Sequence, residues 1–288
     1  FLAVSPMTSA LAAGNRVMVK QAAQSQHLCR LLRDLFSAKI DPEYAGFLPG
    51  VSAAAFSGLP FNHLVFTGSP RTGKTVMKTA ANNLVPVTLE LGGKSPVILA
   101  GDFDMTKAVK RILFAKLMNA GQTCIAPDYI FVPENRIDLF IQTARTAARQ
   151  LYPDIASPDF TAIIDQQAVD RLMDTLADAR ENGGRVIPLL DGPDTILEQK
   201  KISPVIVTDT TPAMRIMQEE IFGPVLPVLP FTSLKPVIDY INESPRPLAL
   251  YIFTRDRNLS DTVIAHTRSG GVTVNDCALH VAQHDLPF

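Results

Sequence analysis

Cysteine is scarce in this chain: residues 29, 124 and 277 are the three among 288. They are too scattered for a disulfide framework. No C-x-x-C or clustered Cys/His spacing suggests zinc, so no metal is expected. A reducing compartment is the default, and the expected location is the cytoplasm. An excess of one charge is also lacking, with 28 acidic against 27 basic residues. No Lys/Arg run is dense enough to follow a phosphate backbone, which argues against nucleic acid as a partner. No apolar run reaches the roughly 18 residues of a membrane span; even the stretch 85–100 contains Glu90 and Lys94. Internal repeats and low-complexity segments are absent. The five histidines form no metal-spaced or triad pattern. His280 and His284 are four apart, but in what reads as loop sequence, and none of the five is assigned a role. An initiator methionine is missing at Phe1, and both ends read as cut.

What is present is a composition 47% hydrophobic and 19% charged, enough for a substantial core. Short β-branched and apolar runs at 16–20, 64–67, 85–89, 96–99, 129–132, 204–207 and 250–254 predict strands. Between them, 24–38, 105–119, 136–151 and 166–182 carry apolar residues at i, i+3, i+4 spacing and predict helices. This alternation predicts an α/β fold with largely parallel strands. The 22 prolines sit mostly at element edges. The best candidate joint is Glu90-Leu91-Gly92-Gly93, where a strand meets two glycines.

One motif points to nucleotide hydrolysis. Gly68-Ser-Pro-Arg-Thr-Gly73-Lys74-Thr75 matches G-x-x-x-x-G-K-[ST], after the strand-like 64–67 and before the helix-like 76–81. In a P-loop NTPase its amides would cradle phosphates, Lys74 would reach the β and γ oxygens, and Thr75 would bind magnesium. The same residues could equally bring a helix N-terminus against a dinucleotide pyrophosphate. They could also be a plain strand-to-helix turn capped by Ser69 or Thr72.

Cys124 follows the predicted helix 105–119 and the helix stop Gly121, which places it on a loop that could face a pocket. Taken alone, a cysteine is more often buried and inert, and a strand-end glutamate such as Glu90 is more often solvated or paired. Four segments in order change that reading: Phe66-Thr-Gly68-Ser69, Glu90-Leu-Gly92-Gly93-Lys94-Ser-Pro96, Gly121-Gln-Thr-Cys124 and Glu219-Glu220-Ile-Phe222-Gly223-Pro224. Together they resemble the aldehyde dehydrogenase superfamily, as does the 34-residue separation of Glu90 and Cys124. The likeness runs over essentially the whole chain. The stretch 118–129 resembles most the class 3 and coniferyl-aldehyde branch, associated with aromatic and medium to long aliphatic aldehydes.

The resemblance implies an incomplete aldehyde dehydrogenase fold, with part of a Rossmann-like cofactor-binding domain at 1–90 and a catalytic domain at 91–288 that lacks its C-terminal end. It implies NAD or NADP as cofactor, an aldehyde substrate, oxidation to the acid, and a homodimer or homotetramer for the full-length parent. Cys124 would attack the aldehyde, because adding sulfur makes the carbon tetrahedral and lets the oxyanion expel hydride. The Cys124 backbone N–H would help stabilise that oxyanion, and a second donor, an asparagine, would lie upstream of residue 1. Glu90 would activate the deacylating water. Glu220 and Phe222 would serve the nicotinamide ribose and ring, and their alternation suits one face of an extended segment. Gly68, Ser69 and Gly73 would approach the pyrophosphate. Lys20 matches a lysine that binds the adenosine ribose. The family's usual glutamate three residues later is Ala23 here, which removes repulsion toward a 2′-phosphate and favours tolerance of both NAD and NADP.

Overall fold

A computed structural model describes residues 2–283 and 285, so His284 and the closing stretch 286–288 lie outside the described residues. The chain divides into two compact units, Phe1–Leu91 and Gly92–Phe288. In the first, α1 (Val4–Ala12), β1 (Val17–Val19), α2 (Gln26–Ser37), β2 (Ala45–Phe47), α3 (Ala53–Ser57), β3 (Leu64–Gly68), α4 (Pro70–Ala81) and β4 (Val87–Leu91) follow in order. The strands β1 and β2 pair in parallel, as do β3 and β4. Each pair carries its own small apolar cluster, one around Met7, Cys29, Ala45 and Phe47, the other around Leu64, Val76, Ala80 and Val85.

The second unit comprises β5 (Pro96–Leu99), α5 (Met105–Leu117), β6 (Tyr129–Pro133), α6 (Ile137–Leu151), α7 (Gln166–Glu181), β7 (Arg185–Pro188), the short hairpin β8 (Thr195–Ile196) and β9 (Lys201–Ile202), β10 (Val205–Thr208), α8 (Arg215–Gln218), β11 (Val225–Phe231), α9 (Leu234–Glu243), β12 (Ala249–Phe253), α10 (Arg257–His266) and β13 (Gly271–Val274). Seven strands form one sheet in the order β13-β12-β5-β6-β11-β10-β7. All neighbours are parallel except the edge strand β7, which runs against β10. Every residue of β5 and of β12 is buried. That explains why these strands read as continuous apolar runs without alternation, since parallel strands are covered on both faces. The helix α5 buries Met105, Ala108, Val109, Ile112 and Leu113 along one stripe, and Asp104 caps its start by accepting from the Lys107 N–H at 2.8 Å.

The predicted elements are present with shifted ends. The helix predicted for 105–119 stops at Leu117, because Asn119 and Ala120 adopt left-handed angles. The strand predicted for 85–89 runs over Val87–Leu91, so Glu90 lies inside it. Among the described residues no helix is long and apolar enough to cross a membrane.

Candidate active site

The motif segments of the second unit are drawn together by topology. Residues 92–95 lead into β5, 121–128 into β6 and 219–224 into β11, and these three strands are adjacent and parallel. Their leading segments therefore share one edge of the sheet. This is the amino-terminal edge, opposite to the carboxyl-terminal edge at which open α/β sheets usually bind ligands.

Cys124 sits on a tight turn at that edge. After α5, Asn119 (φ 54°), Ala120 (φ 53°) and Gly121 (φ 76°) all lie in the left-handed region. Each non-glycine residue there costs about 1–2 kcal/mol, so other contacts must hold the conformation. Gln122 supplies them. Its side-chain amide donates to the carbonyls of Asn119 and Ala162, both at 3.0 Å, and its Oε1 accepts from the Ile164 N–H at 2.9 Å. The Asn119 side chain donates back to the Gln122 carbonyl at 3.0 Å. The Ala126 N–H then donates to the Thr123 carbonyl at 2.9 Å, closing a turn with Cys124 and Ile125 at its centre. Cys124 is half-buried, whereas Cys29 and Cys277 are buried in the interior, and burial pushes the Cys277 thiol well up. Of the three, Cys124 is the one that is not fully buried.

Gly121 is required here for a second reason: a β-carbon would come 2.2 Å from the Gly223 carbonyl oxygen. A β-carbon at Gly223 would in turn meet Leu172 at 2.6 Å. The cysteine turn and the Glu219–Pro224 segment thus touch backbone to backbone.

That segment is clamped from several sides. The Lys94 ammonium donates to Asp128 and to the carbonyls of Ile216 and Glu219, at 2.8 and 3.0 Å. Asp128 uses its other oxygen to accept from the Ile221 N–H at 2.8 Å, and Arg171 donates to the Ile221 carbonyl at 2.8 Å. Lys94 and Asp128 are only 12% and 3% exposed, so the pair is largely shielded from water. Glu220 Oε1 accepts from the Gly93 N–H at 3.2 Å, and a β-carbon at Gly92 would collide with the same carboxylate. Burial pushes the Glu220 carboxyl up to about 7, partly offset by the Gly93 hydrogen bond. Lys116, 1% exposed on α5, interacts with Asp128 and Glu220, and burial brings its ammonium down to about 8. The expected extended alternation of Glu220 and Phe222 does not hold. Phe222 has φ 48°, a left-handed turn that breaks the alternation, and the residue is 39% exposed.

The other expected residues belong to the first unit. Glu90 is half-buried in β4, opposite Thr67 of β3, and Gly68 pairs with Leu91. Ser69 caps α4, its hydroxyl accepting from the Thr72 N–H at 3.3 Å. Gly73 is buried within α4, where a β-carbon would meet Leu91 at 2.9 Å, so its lack of a side chain lets helix and strand approach closely. Lys20 follows β1 and is half-buried; Ala23 is exposed in a short 3₁₀ turn. The nucleotide-hydrolase alternative finds no support. A phosphate-cradling loop would have to span residues 68–73, but α4 starts at Pro70, so residues 70–73 follow a helical path and do not form an open loop.

Sequence reasoning gave no role to Lys94, Asp128, Lys116, Arg171 or Gln122. A usable signal existed for the first two: Lys94 interrupts an apolar stretch, and Asp128 immediately precedes the apolar strand 129–133.

The comparisons with known proteins agree with this geometry. The aldehyde dehydrogenase family model matches residues 1–288. A Pseudomonas aeruginosa protein described as a probable coniferyl aldehyde dehydrogenase is 47% identical over 293 residues, covering all of this chain and 60% of that relative. The substrate-bound structure of Staphylococcus aureus AldH superposes with a TM-score of 0.93 at 37% identity, covering all of this chain and 62% of the other. The NAD+ complex of a Bacillus cereus aldehyde dehydrogenase gives a TM-score of 0.85 at 28% identity, covering 95% of this chain and 57% of the other. The chain spans about 60% of the length of the curated relatives it matches. With the motif segments gathered at one sheet edge and the family model matched from first residue to last, the chain belongs to the aldehyde dehydrogenase family.

Proposed function

We propose that the full-length protein oxidises an aldehyde, aromatic or medium to long aliphatic, to the carboxylic acid with NAD or NADP. The observation that carries this reading is the half-buried Cys124 on a braced turn, packed backbone to backbone against the segment that bears Glu220. The coniferyl-aldehyde relative supports the substrate class, and the Bacillus cereus complex supports the cofactor.

In this reading the Cys124 sulfur adds to the aldehyde carbon to give a thiohemiacetal, and its oxyanion faces the Cys124 backbone N–H. Oxidation of that adduct leaves a thioester on Cys124, and Glu90 takes a proton from the water that hydrolyses it. Several side chains carry the chemistry that a dinucleotide needs. The α4 N-terminus has no acidic residue in its first turn and is followed by the exposed Arg71 and Lys74, which suits a pyrophosphate approached through Gly68 and Ser69. Glu220 offers a carboxylate acceptor to ribose hydroxyls, Phe222 an aromatic ring on a solvent-exposed residue, and Lys20 a donor for the adenosine ribose. NAD(P), when bound, supplies the hydride acceptor. A partial Rossmann-like cofactor domain at 1–90 and a catalytic domain at 91–288 are part of the same proposal, as is a cytoplasmic homodimer or homotetramer, which light scattering on the full-length protein tests.

The decisive experiment is a panel of aldehydes assayed for NADH and NADPH formation by the full-length protein, with Cys124→Ala as control. Turnover of at least one aromatic or long aliphatic aldehyde, lost by about 10³-fold or more in the variant, is expected. No turnover of any aldehyde, or full turnover by Cys124→Ala, sinks the reading.

A further inference from the structure

The cysteine turn has one buried partner on a distant strand. Tyr251, at the centre of β12 and fully buried, donates its hydroxyl to the Ile125 carbonyl at 2.5 Å. That carbonyl belongs to the same peptide unit as the Ala126 N–H, which donates to the Thr123 carbonyl at 2.9 Å. A peptide unit is planar, so holding it at both its oxygen and its nitrogen fixes the orientation of its plane. The plane in question closes the turn that has Cys124 and Ile125 at its centre.

The phenol is itself well held. Tyr251 pairs with Val97 on one side and Thr273 on the other, and Thr273 hydrogen-bonds His280 Nδ1 at 2.9 Å. The His280 ring lies 6.1 Å from the Tyr251 ring, and the backbone of Ala278 reaches the phenol oxygen. A β-carbon at Gly271 would strike the His280 ring at 2.4 Å, so β13 leaves the imidazole its place. Burial pushes the Tyr251 hydroxyl well above its ordinary range, which keeps it protonated and able to donate at any working pH.

We propose that Tyr251 is a positioning residue for the nucleophile. It fixes the Ile125–Ala126 peptide and so sets the direction in which Cys124 presents its sulfur and its backbone N–H; the role rests on the cysteine-nucleophile reading above. Tyr251 touches neither substrate nor cofactor in this account. Its effect is on the geometry of attack, where small misplacements are costly.

The test uses the full-length protein carrying Tyr251→Phe, which removes the hydroxyl and keeps the ring. Two reactions of Cys124 are followed: the pre-steady-state burst of NAD(P)H with aldehyde, and acylation by p-nitrophenyl acetate, an activated ester that needs no cofactor. Both rates are expected to fall by about 3- to 10-fold, the range of one hydrogen bond, with NAD(P) affinity unchanged. The ratio of variant to wild type should stay flat from pH 6 to 9, since the hydroxyl does not titrate there. Ser260→Ala, which removes a buried hydroxyl that donates to the Arg257 carbonyl at 2.8 Å within α10 and leaves the Tyr251 contacts in place, should not slow acylation. The proposal is overturned if Tyr251→Phe acylates at the wild-type rate, if the ratio titrates, if cofactor affinity falls in step, if Ser260→Ala slows acylation equally, or if Tyr251→Phe does not fold. A wild-type protein that is acylated by the ester yet gives no aldehyde-dependent burst would sink the oxidation reading and leave the Tyr251 test standing.

Discussion

The turn that carries Cys124 and the β3–α4 junction that carries Gly68 and Ser69 are built on opposite principles. The first strings together left-handed residues at 119–121 and needs Gln122, Asn119 and Tyr251 to hold it. The second uses ordinary angles: a strand ends, Ser69 caps, Pro70 begins the helix, and the cap bonds are local, between residues 69 and 72. A reacting atom has to be aimed, and aiming it takes contacts from distant parts of the chain. Holding a phosphate takes only the amides that any helix start exposes. The two regions should therefore respond differently when single contacts are removed.

The largest effect is expected at Lys94→Met. It leaves Asp128 buried without its cation and frees the Ile216 and Glu219 carbonyls. A loss of about 3 kcal/mol in urea unfolding is expected, the usual consequence of breaking a shielded ion pair from one side. A loss below about 1 kcal/mol would mean that the clamp is ornamental and would erase the contrast drawn above.

Glu220→Gln should act on binding, with a pH signature. The Glu220 carboxyl lies near 7 in the folded chain against an ordinary 4.5. It is therefore increasingly charged between pH 6 and 8, and KM for NAD(P) should fall over that range in the wild type. In Glu220→Gln the fall disappears and KM at pH 8 is about tenfold higher, from loss of a charged hydrogen-bond acceptor. Stability runs the other way. A folded value raised above the unfolded one contributes stability below about pH 4.5 that is lost as pH rises through 7, so the wild type should weaken across that window more steeply than Glu220→Gln. Parallel pH profiles for the two proteins would contradict both statements.

The smallest effect is expected at Ser69→Ala, which removes one helix cap and should cost about 1 kcal/mol in thermal or urea unfolding with Cys124 acylation untouched. If acylation by p-nitrophenyl acetate fell in this variant as far as in Tyr251→Phe, the division of labour between the two regions would be wrong.

Most of the layout was legible from the chain because the forces that set it are local. Buried parallel strands such as 96–99 are apolar at every position, and helices such as 166–181 show their stripe. The family resemblance could be picked out because motif order and spacing survive without a structure. What could not be read was whatever depends on residues far apart. Nothing near Phe222 announces a φ of 48°; it follows from Arg171 and Asp128 gripping Ile221 from other elements. The P-loop pattern misled for the same reason in reverse, since eight residues fit a regular expression while Pro70 starts a helix inside it. Tyr251 reads as one more apolar strand residue until the Ile125 carbonyl is found at its hydroxyl.

The Gly121–Gly223 contact bears on anyone who wishes to redesign this protein. The loop bearing the proposed nucleophile is an obvious segment to exchange between relatives when a new specificity is wanted. With no room for even one carbon between residue 121 and the carbonyl of residue 223, that loop is one half of a fitted joint. A graft of 118–128 that leaves 219–224 behind would import a surface shaped for another partner, so the two segments should be transplanted together.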